Sequence, residues 1–304
     1  MSDTAVTLQI NVAPSDWTHC AHILGHQIRV WSDQVDEILL TLDLKRSKGR
    51  FAVDWDRGAV ELQNQLDTLS RENAKVVVSR VDYSDEAKRL VARKYFDRET
   101  IPNKDYRGGP LYSYYYGMYC ASNDLVLHSD SDMLYGGASQ TWVSEAINVL
   151  DREASIVFCS PLAGPPTASG ALTTQLSAPW PGMPHAHLFS TMSTRVFMTR
   201  QSSLLARMGL LPMPLPSPRS LVKALLNGNP LGTAPENALS ARMEQRGLYR
   251  LDFLGAGPGM WSVHPPMRTE QFYTSLPEIV RRIEAGDMPD AQRGAYDLDP
   301  GLLA

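Results

Sequence analysis

Along the first 130 residues, hydrophobic positions switch repeatedly between a strand rhythm and a helix rhythm. The stretch Val6–Val12 predicts a first strand that stops at Pro14-Ser15. Trp17, Cys20, Ile23, Leu24, Ile28 and Trp31 then gather near one face of a helix, with Asp16 placed to cap it. Glu37–Leu42 reads as a second strand closing on Asp43, and Ala59, Leu62, Leu66 and Leu69 mark a second helix by their spacing. A valine-rich third strand covers 75–81. Ser84 opens a third helix with Ala87, Leu90, Val91 and Tyr95 inward. A fourth helix over 108–119, entered through Gly109-Pro110, leads into a strand that ends at Asp130. Strand–helix alternation with short connections predicts an α/β fold, with a mainly parallel central sheet flanked by helices.

The rhythm breaks after Leu150. Ile156 to Ser160 predicts another strand, 161–184 reads as loop, and 189–199 as one strand of mixed polarity. A proline-dense segment, 209–235, encloses a short apolar helix. Irregular stretches of this length inside a compact enzyme usually bind substrate. A helix returns over 237–246 and is closed by Gly247, followed by a strand over 249–254 and a glycine-rich loop over 255–259. A last helix is expected near 277–285.

Composition narrows the function. Lys and Arg number 29 against 33 Asp and Glu, a net charge of −4, so neither a nucleic acid nor an anionic membrane surface is an expected partner. Cys20, Cys120 and Cys159 are widely separated and odd in number, which argues against a disulfide framework and for a reducing compartment. No run reaches 18 apolar residues and the first residues lack the pattern of a signal peptide. The expectation is a cytoplasmic protein without a transmembrane segment.

The richest chemistry lies at Asp130-Ser131-Asp132. On an extended strand, residues two apart point to the same side, so both carboxylates can converge at the carboxyl end of a buried strand. Open α/β sheets bind ligands there. Paired carboxylates repel unless a cation sits between them. Hard oxygen ligands with open positions suit Mg2+ or Mn2+ bridging the phosphates of a nucleotide. The competing reading is an Asp- and Ser-rich surface turn.

In this order and spacing the landmarks resemble the GT-A fold glycosyltransferases, closest in style to family 2. Pro14-Ser15 matches the start of that family's nucleotide pocket, and Asp43 its acidic contact to base or ribose. Asp130-Ser131-Asp132 matches its D-x-D motif. Glu236-Asn237-Ala238-Leu239-Ser240-Ala241-Arg242, with Gly247-Leu248-Tyr249-Arg250, resembles its acidic pair, helix and turn. The resemblance spans about Val6 to His264. It implies a single domain over 1–304, with a nucleotide-sugar-binding half (1–135), an acceptor-binding and catalytic half (136–270), and a C-terminal helix and tail (271–304). It implies a metal-dependent hexosyl transfer from a nucleoside diphosphate sugar, UDP-sugar first, to a hydroxyl of a small molecule or glycan. Asp132 would be the direct ligand of Mn2+ or Mg2+. Asp130 would contact ribose or serve as a second ligand, Ser131 between them would join the nucleotide-binding residues, and His264 would be a late third ligand.

Two positions depart from the family. Tyr114-Tyr115 stand where Arg-Asn is common, and Asn237 replaces the second acidic residue, which is often the general base. Glu236 is left as the candidate base, with inversion favoured over retention. The Asn237 replacement keeps a non-catalytic nucleotide- or carbohydrate-binding protein in play. A sugar-phosphate nucleotidyltransferase needs a glycine-rich basic loop after the first strand, and Ala13 to Trp17 supply neither glycine nor lysine.

Weaker clusters complete the reading. His19, His22 and His26 share a helix and are expected on a solvated face rather than on zinc. His185 and His187 are expected near the acceptor. The tyrosines between 112 and 119 read mostly as helix packing. Gly255 to Gly259 suggest a hinge, with Trp261 closing over the donor, against the plainer reading of an ordinary loop.

Overall fold

Strand β1 (Val6–Val12) is the axis of the N-terminal half, and its neighbours fix where the motif carboxylates stand. The computed structural model describes residues 4–46 and 53–302. Strand β1 lies between β2 (Glu37–Leu42) and β4 (Leu125–Asp130), with β3 (Val76–Arg80) outside β2, all four parallel. Asn11 sits opposite both Thr41 and Asp130, so β2 and β4 end level with β1. Asp43 and Asp130 therefore flank the end of β1, one strand to each side. Adjacent strands lie about 4.8 Å apart.

The apolar row Leu8, Ile10 and Val12 packs with Ile38, Leu40 and Leu127 against helices α1 (Trp17–Trp31) and α2 (Trp55–Glu72). Each such side chain, fully buried, contributes about 1.5–3 kcal/mol. The alternate row of β1 is polar, yet Thr7 and Gln9 are also fully buried. Helices α3 (Asp85–Tyr95) and α4 (Tyr112–Cys120) pack together, and α4 lies over the polar row. A Cβ on Gly117 would come within 2.4 Å of Gln9 Nε2, so only glycine allows this approach. The buried Gln9 amide is satisfied at both ends: its Nε2 donates to Thr41 Oγ1 at 3.0 Å, and its Oε1 lies 2.6 Å from His128 Nδ1.

Beyond β4 the sheet becomes mixed. The order is β3-β2-β1-β4-β9-β6-β10-β8-β7, with β9 (Val196–Arg200) antiparallel to both β4 and β6 (Ile156–Ala163). Strand β10 (Tyr249–Phe253) runs parallel to β6, while β8 (Ala186–Phe189) and β7 (Ala178–Pro179) add antiparallel strands. Strand β11 (Trp261–Val263) pairs with β5 (Leu134–Gly136) and with the end of β6. The remaining helices are α5 (Trp142–Arg152), α6 (Gln201–Met208), α7 (Pro218–Leu226), α8 (Pro235–Arg246) and α9 (Glu270–Glu284).

The α/β expectation holds, with parallel pairing among the first four strands and where β10 and β11 join β6. Several boundaries move. The single strand expected over 189–199 is two, because the polar Ser190-Thr191-Met192-Ser193-Thr194 stretch turns the chain between β8 and β9. Helix α4 starts only at Tyr112. Before it, Gly108 takes a φ of 85° and the Asp105 carboxylate accepts from the backbone N–H of Arg107 and Gly109, which closes a turn. Helix α9 starts at Glu270 rather than near Pro277, because Thr269 Oγ1 accepts from Phe272 N and caps it there.

Candidate functional site

The Asp130–Asp132 turn is built from beneath by α1. Gln27 Nε2 donates to the carbonyls of Asp130 (2.9 Å) and Met133 (2.8 Å), and His19 Nε2 lies 3.1 Å from Ser131 Oγ. Both α1 side chains are fully buried. Burial drives the His19 pKa down to about 3, so the ring is neutral at physiological pH. His26 is buried too: its Nε2 accepts from Tyr135 N at 3.0 Å and its Nδ1 lies 2.8 Å from Glu284. The solvated face expected for these histidines is therefore wrong for His19 and His26. Their helix faces the site and the C-terminal helix, leaving His22 outside.

Asp132 is 5% exposed, and Arg268 donates from Nη2 to its Oδ2. His264 Nε2 lies 3.5 Å from the same oxygen. Burial opposes ionisation of Asp132, but His264 and Arg268 outweigh it and hold the carboxyl well below the usual range. Asp132 Oδ1 is buried without a hydrogen-bond partner among the described residues. A carboxylate with one oxygen unpartnered and the other 3.5 Å from an imidazole offers a divalent cation two candidate ligands, Asp132 and His264. Asp130 does not join them: its Oδ1 is 3.4 Å from His128 Nε2, and its side chain is 40% exposed. Among the described residues no three His, Cys, Asp or Glu side chains are grouped around one metal position.

Asp130, Asp132 and Arg268 border a pocket of about 180 Å3 at the carboxyl edge of the sheet, while His264 lines a separate pocket with Arg195 and Tyr296. Asn11 lines the first pocket from β1, Ala13, Ser15 and Asp16 line it from the turn that follows, and Asp43, Lys104, Asp130, Ser131, Asp132 and Arg268 close it. Asp43 is already engaged, accepting from Lys104 Nζ (2.9 Å), Tyr83 OH (2.9 Å) and Lys45 N (2.8 Å). Asp16 does not cap α1 through its side chain. Its carboxylate turns back to accept from Ala13 N (3.0 Å) and Ser15 Oγ (3.2 Å). Burial pushes its pKa up to about 6, against the pull of Arg268. Ser15 faces the pocket, but Pro14 is buried beside it, with its carbonyl against Gly58 of α2.

A second, larger cleft of about 700 Å3 adjoins the first and shares Gly109, Pro110 and Asp130 with it. Glu236, in the first turn of α8, borders this cleft with Arg107, Tyr114, Arg195 and Lys223. Pro235 occupies the first helical position, where its missing N–H costs nothing, and Glu236 follows it half-buried. Arg107 Nη2 donates to Glu236 Oε1 at 3.1 Å, while Asn237 is exposed.

Other residues singled out by sequence lie elsewhere. Trp261 is buried in β11 against Gly136, where any Cβ would be 2.1 Å from its ring, so it does not close over the pocket. His187 is buried between Ser177 Oγ (2.9 Å) and the Gly170 carbonyl (3.0 Å), pinning the 164–180 loop rather than lining the cleft. Tyr112, Tyr115 and Tyr116 pack as expected, and Tyr114 also reaches the cleft. Sequence reading missed Lys104, Arg107 and Arg268. Single basic residues in loops carry no periodic signal, although Arg268 follows His264 by four positions in the same proline-rich stretch.

No protein-family model matches the sequence, and no curated protein does. Solved structures with some likeness include S. aureus TarS in complex with UDP-GlcNAc (11% identity, covering 83% of this chain and 60% of that one, TM-score 0.37). Mouse xyloside xylosyltransferase 1 in its apo form is 11% identical, covering 66% and 68%, with a TM-score of 0.31. An active-site mutant of LgtC is 9% identical, covering 95% and 99%, with a TM-score of 0.33. The chain spans about 60% of the length of the TarS chain. Likeness of this degree leaves the site geometry to carry the functional reading.

Proposed function

We propose that this protein is a GT-A-type glycosyltransferase that moves a sugar from a nucleoside diphosphate sugar, UDP-linked in the first instance, to a hydroxyl acceptor. The observation that supports it most is the pair of adjoining pockets at the carboxyl edge of β1 and β4. Asp132 and Asp43 border the smaller, Glu236 the larger, and Asp130 stands between.

In this reading the nucleotide lies in the smaller pocket, its base or ribose against the Asp43–Lys104 pair and Ser15, and Asp130 near the ribose. Asp132 and His264 would hold Mn2+ or Mg2+, which when bound neutralises charge growing on the diphosphate leaving group. Arg268, which lines the same pocket, would face the phosphates. The acceptor enters the larger cleft, where Arg195, Lys223 and Asn229 offer polar contacts to its hydroxyls. Glu236 accepts the proton of the attacking hydroxyl, with inversion at the anomeric carbon. The Glu236–Arg107 pair keeps that carboxylate aimed along the cleft edge. A cytoplasmic setting belongs to the same proposal. Among the described residues no helix is long and apolar enough to cross a membrane.

Thermal denaturation with UDP, GDP and dTDP in the presence of Mn2+ tests the donor site. A ligand at 100 times its Kd stabilises by about 2.7 kcal/mol. One nucleotide producing a shift of that order supports the reading. No shift with any of them, each at millimolar concentration, refutes it.

A further inference from the structure

The smaller pocket sets an electrostatic problem. Asp16, Asp43, Asp130 and Asp132 line it against two cations, Lys104 and Arg268, and both cations are already paired with carboxylates. Lys104 is fixed on Asp43 with little exposure at either end, 14% and 7% of the side chains. Arg268 differs. It sits on the loop between β11 and α9, with 32% of its side chain exposed, and only its Nη2 engages Asp132. A guanidinium carries five donors, so beyond Asp132 and the nearby Tyr273 hydroxyl this one keeps donors for another anion. It also covers the same Asp132 oxygen that faces His264, the place where a divalent ion would bind.

We propose that Arg268 is a displaceable internal cation. It holds Asp132 while the pocket is empty and moves to the donor's diphosphate when a divalent ion takes its place. The proposal rests on the nucleotide-sugar reading above and deepens it. Three requirements are met together by this arrangement. Asp132 is never left as a bare buried charge, which would be strongly destabilising. The diphosphate gains a bidentate partner suited to phosphate geometry. And the metal ion and the nucleotide become coupled, because a metal arriving alone must evict the guanidinium from Asp132 without giving it a new partner. A metal arriving with the diphosphate supplies that partner. By linkage, each ligand must then raise the affinity of the other by the same factor.

Binding of Mn2+ alone, followed by electron paramagnetic resonance and by calorimetry, tests this without any turnover. In wild-type protein, saturating UDP should tighten Mn2+ binding by about tenfold or more, within the usual range for such couplings. Arg268→Gln removes the competing charge. Without UDP it should bind Mn2+ about fivefold or more tighter than wild type, and its gain on adding UDP should fall below about threefold. Arg268→Lys, which keeps a charge but loses the fork, should fall between the two and serves if the glutamine variant does not fold. Arg268→Gln binding Mn2+ no better than wild type in the absence of UDP overturns the proposal while leaving the donor reading intact. Wild-type protein that binds UDP under no metal condition removes the donor reading itself, and the proposal with it.

Discussion

Arg107 ties two carboxylates together: its Nη2 is 3.1 Å from Glu236 Oε1 and its Nε is 3.2 Å from Asp105 Oδ2. Asp105 is buried and shapes the turn before α4, whereas Glu236 stands at the rim of the larger cleft. One guanidinium thus fixes the start of α8 relative to the loop that divides the two pockets.

Glu236→Gln keeps an acceptor for Arg107 and nearly the same shape, but it cannot take a proton. The expected outcome is a fall in kcat of about a hundredfold or more with donor affinity unchanged. Steady-state kinetics with a fixed acceptor, alongside calorimetric donor binding, separates the two effects. Both parameters intact would mean that this carboxylate serves only the helix terminus and its arginine.

Asp43 offers a direct check of the nucleotide pocket. Replacing it with alanine strips the Lys104 ammonium of its partner and removes an acceptor from Tyr83. Nucleotide affinity should weaken by about 1–3 kcal/mol, the range for losing a buried polar partner. Equal UDP affinity in Asp43→Ala and wild type would place the base and ribose somewhere else.

How much of this was legible beforehand differs between the two halves. Val6–Val12, Glu37–Leu42 and Leu125–Asp130 announce themselves because apolar rows bounded by Pro14, Asp43 and Asp130 have only one way to enter a parallel sheet. Their level register then brings Asp43 and Asp130 to one edge. Beyond Leu150, strand order is set by long-range pairing, such as β9 slipping between β4 and β6, and no local pattern encodes that. The site divides in the same way. Asp132 and His264 come together as their motif suggested, but the guanidinium between them and the pocket comes from an unpatterned loop. His19 and His26 of α1 depart from the solvated face because a helix covered on two sides buries polar positions too, while His22 stays exposed. Gln27 and His19 supply the hydrogen bonds that hold the Asp130–Asp132 turn.

His19 makes a prediction in pH. Its folded pKa is depressed to about 3 from an ordinary 6.5. The stability it contributes is present above pH 6.5 and is lost as pH falls from 6.5 toward 3, because the unfolded chain takes up the proton first. At pH 4.5, two pH units into that window, the loss is on the order of 2–3 kcal/mol. His19→Gln has no such proton to bind, so its chemical-denaturation stability should fall less than wild type between pH 7 and 4.5. Parallel acid limbs for the two proteins would show that the ring charges freely in the folded state.

Nucleotide release during turnover bears most directly on the central claim that this is a sugar-transferring enzyme. Purified protein incubated with Mn2+ and a panel of UDP-sugars, with free UDP followed over time, should release UDP from at least one of them by slow donor hydrolysis. The release should depend on Asp132 and drop about a hundredfold or more in Glu236→Gln. Tight UDP-sugar binding with no UDP released by wild type, with or without a panel of glycan acceptors, would contradict the claim and leave a binding protein in its place.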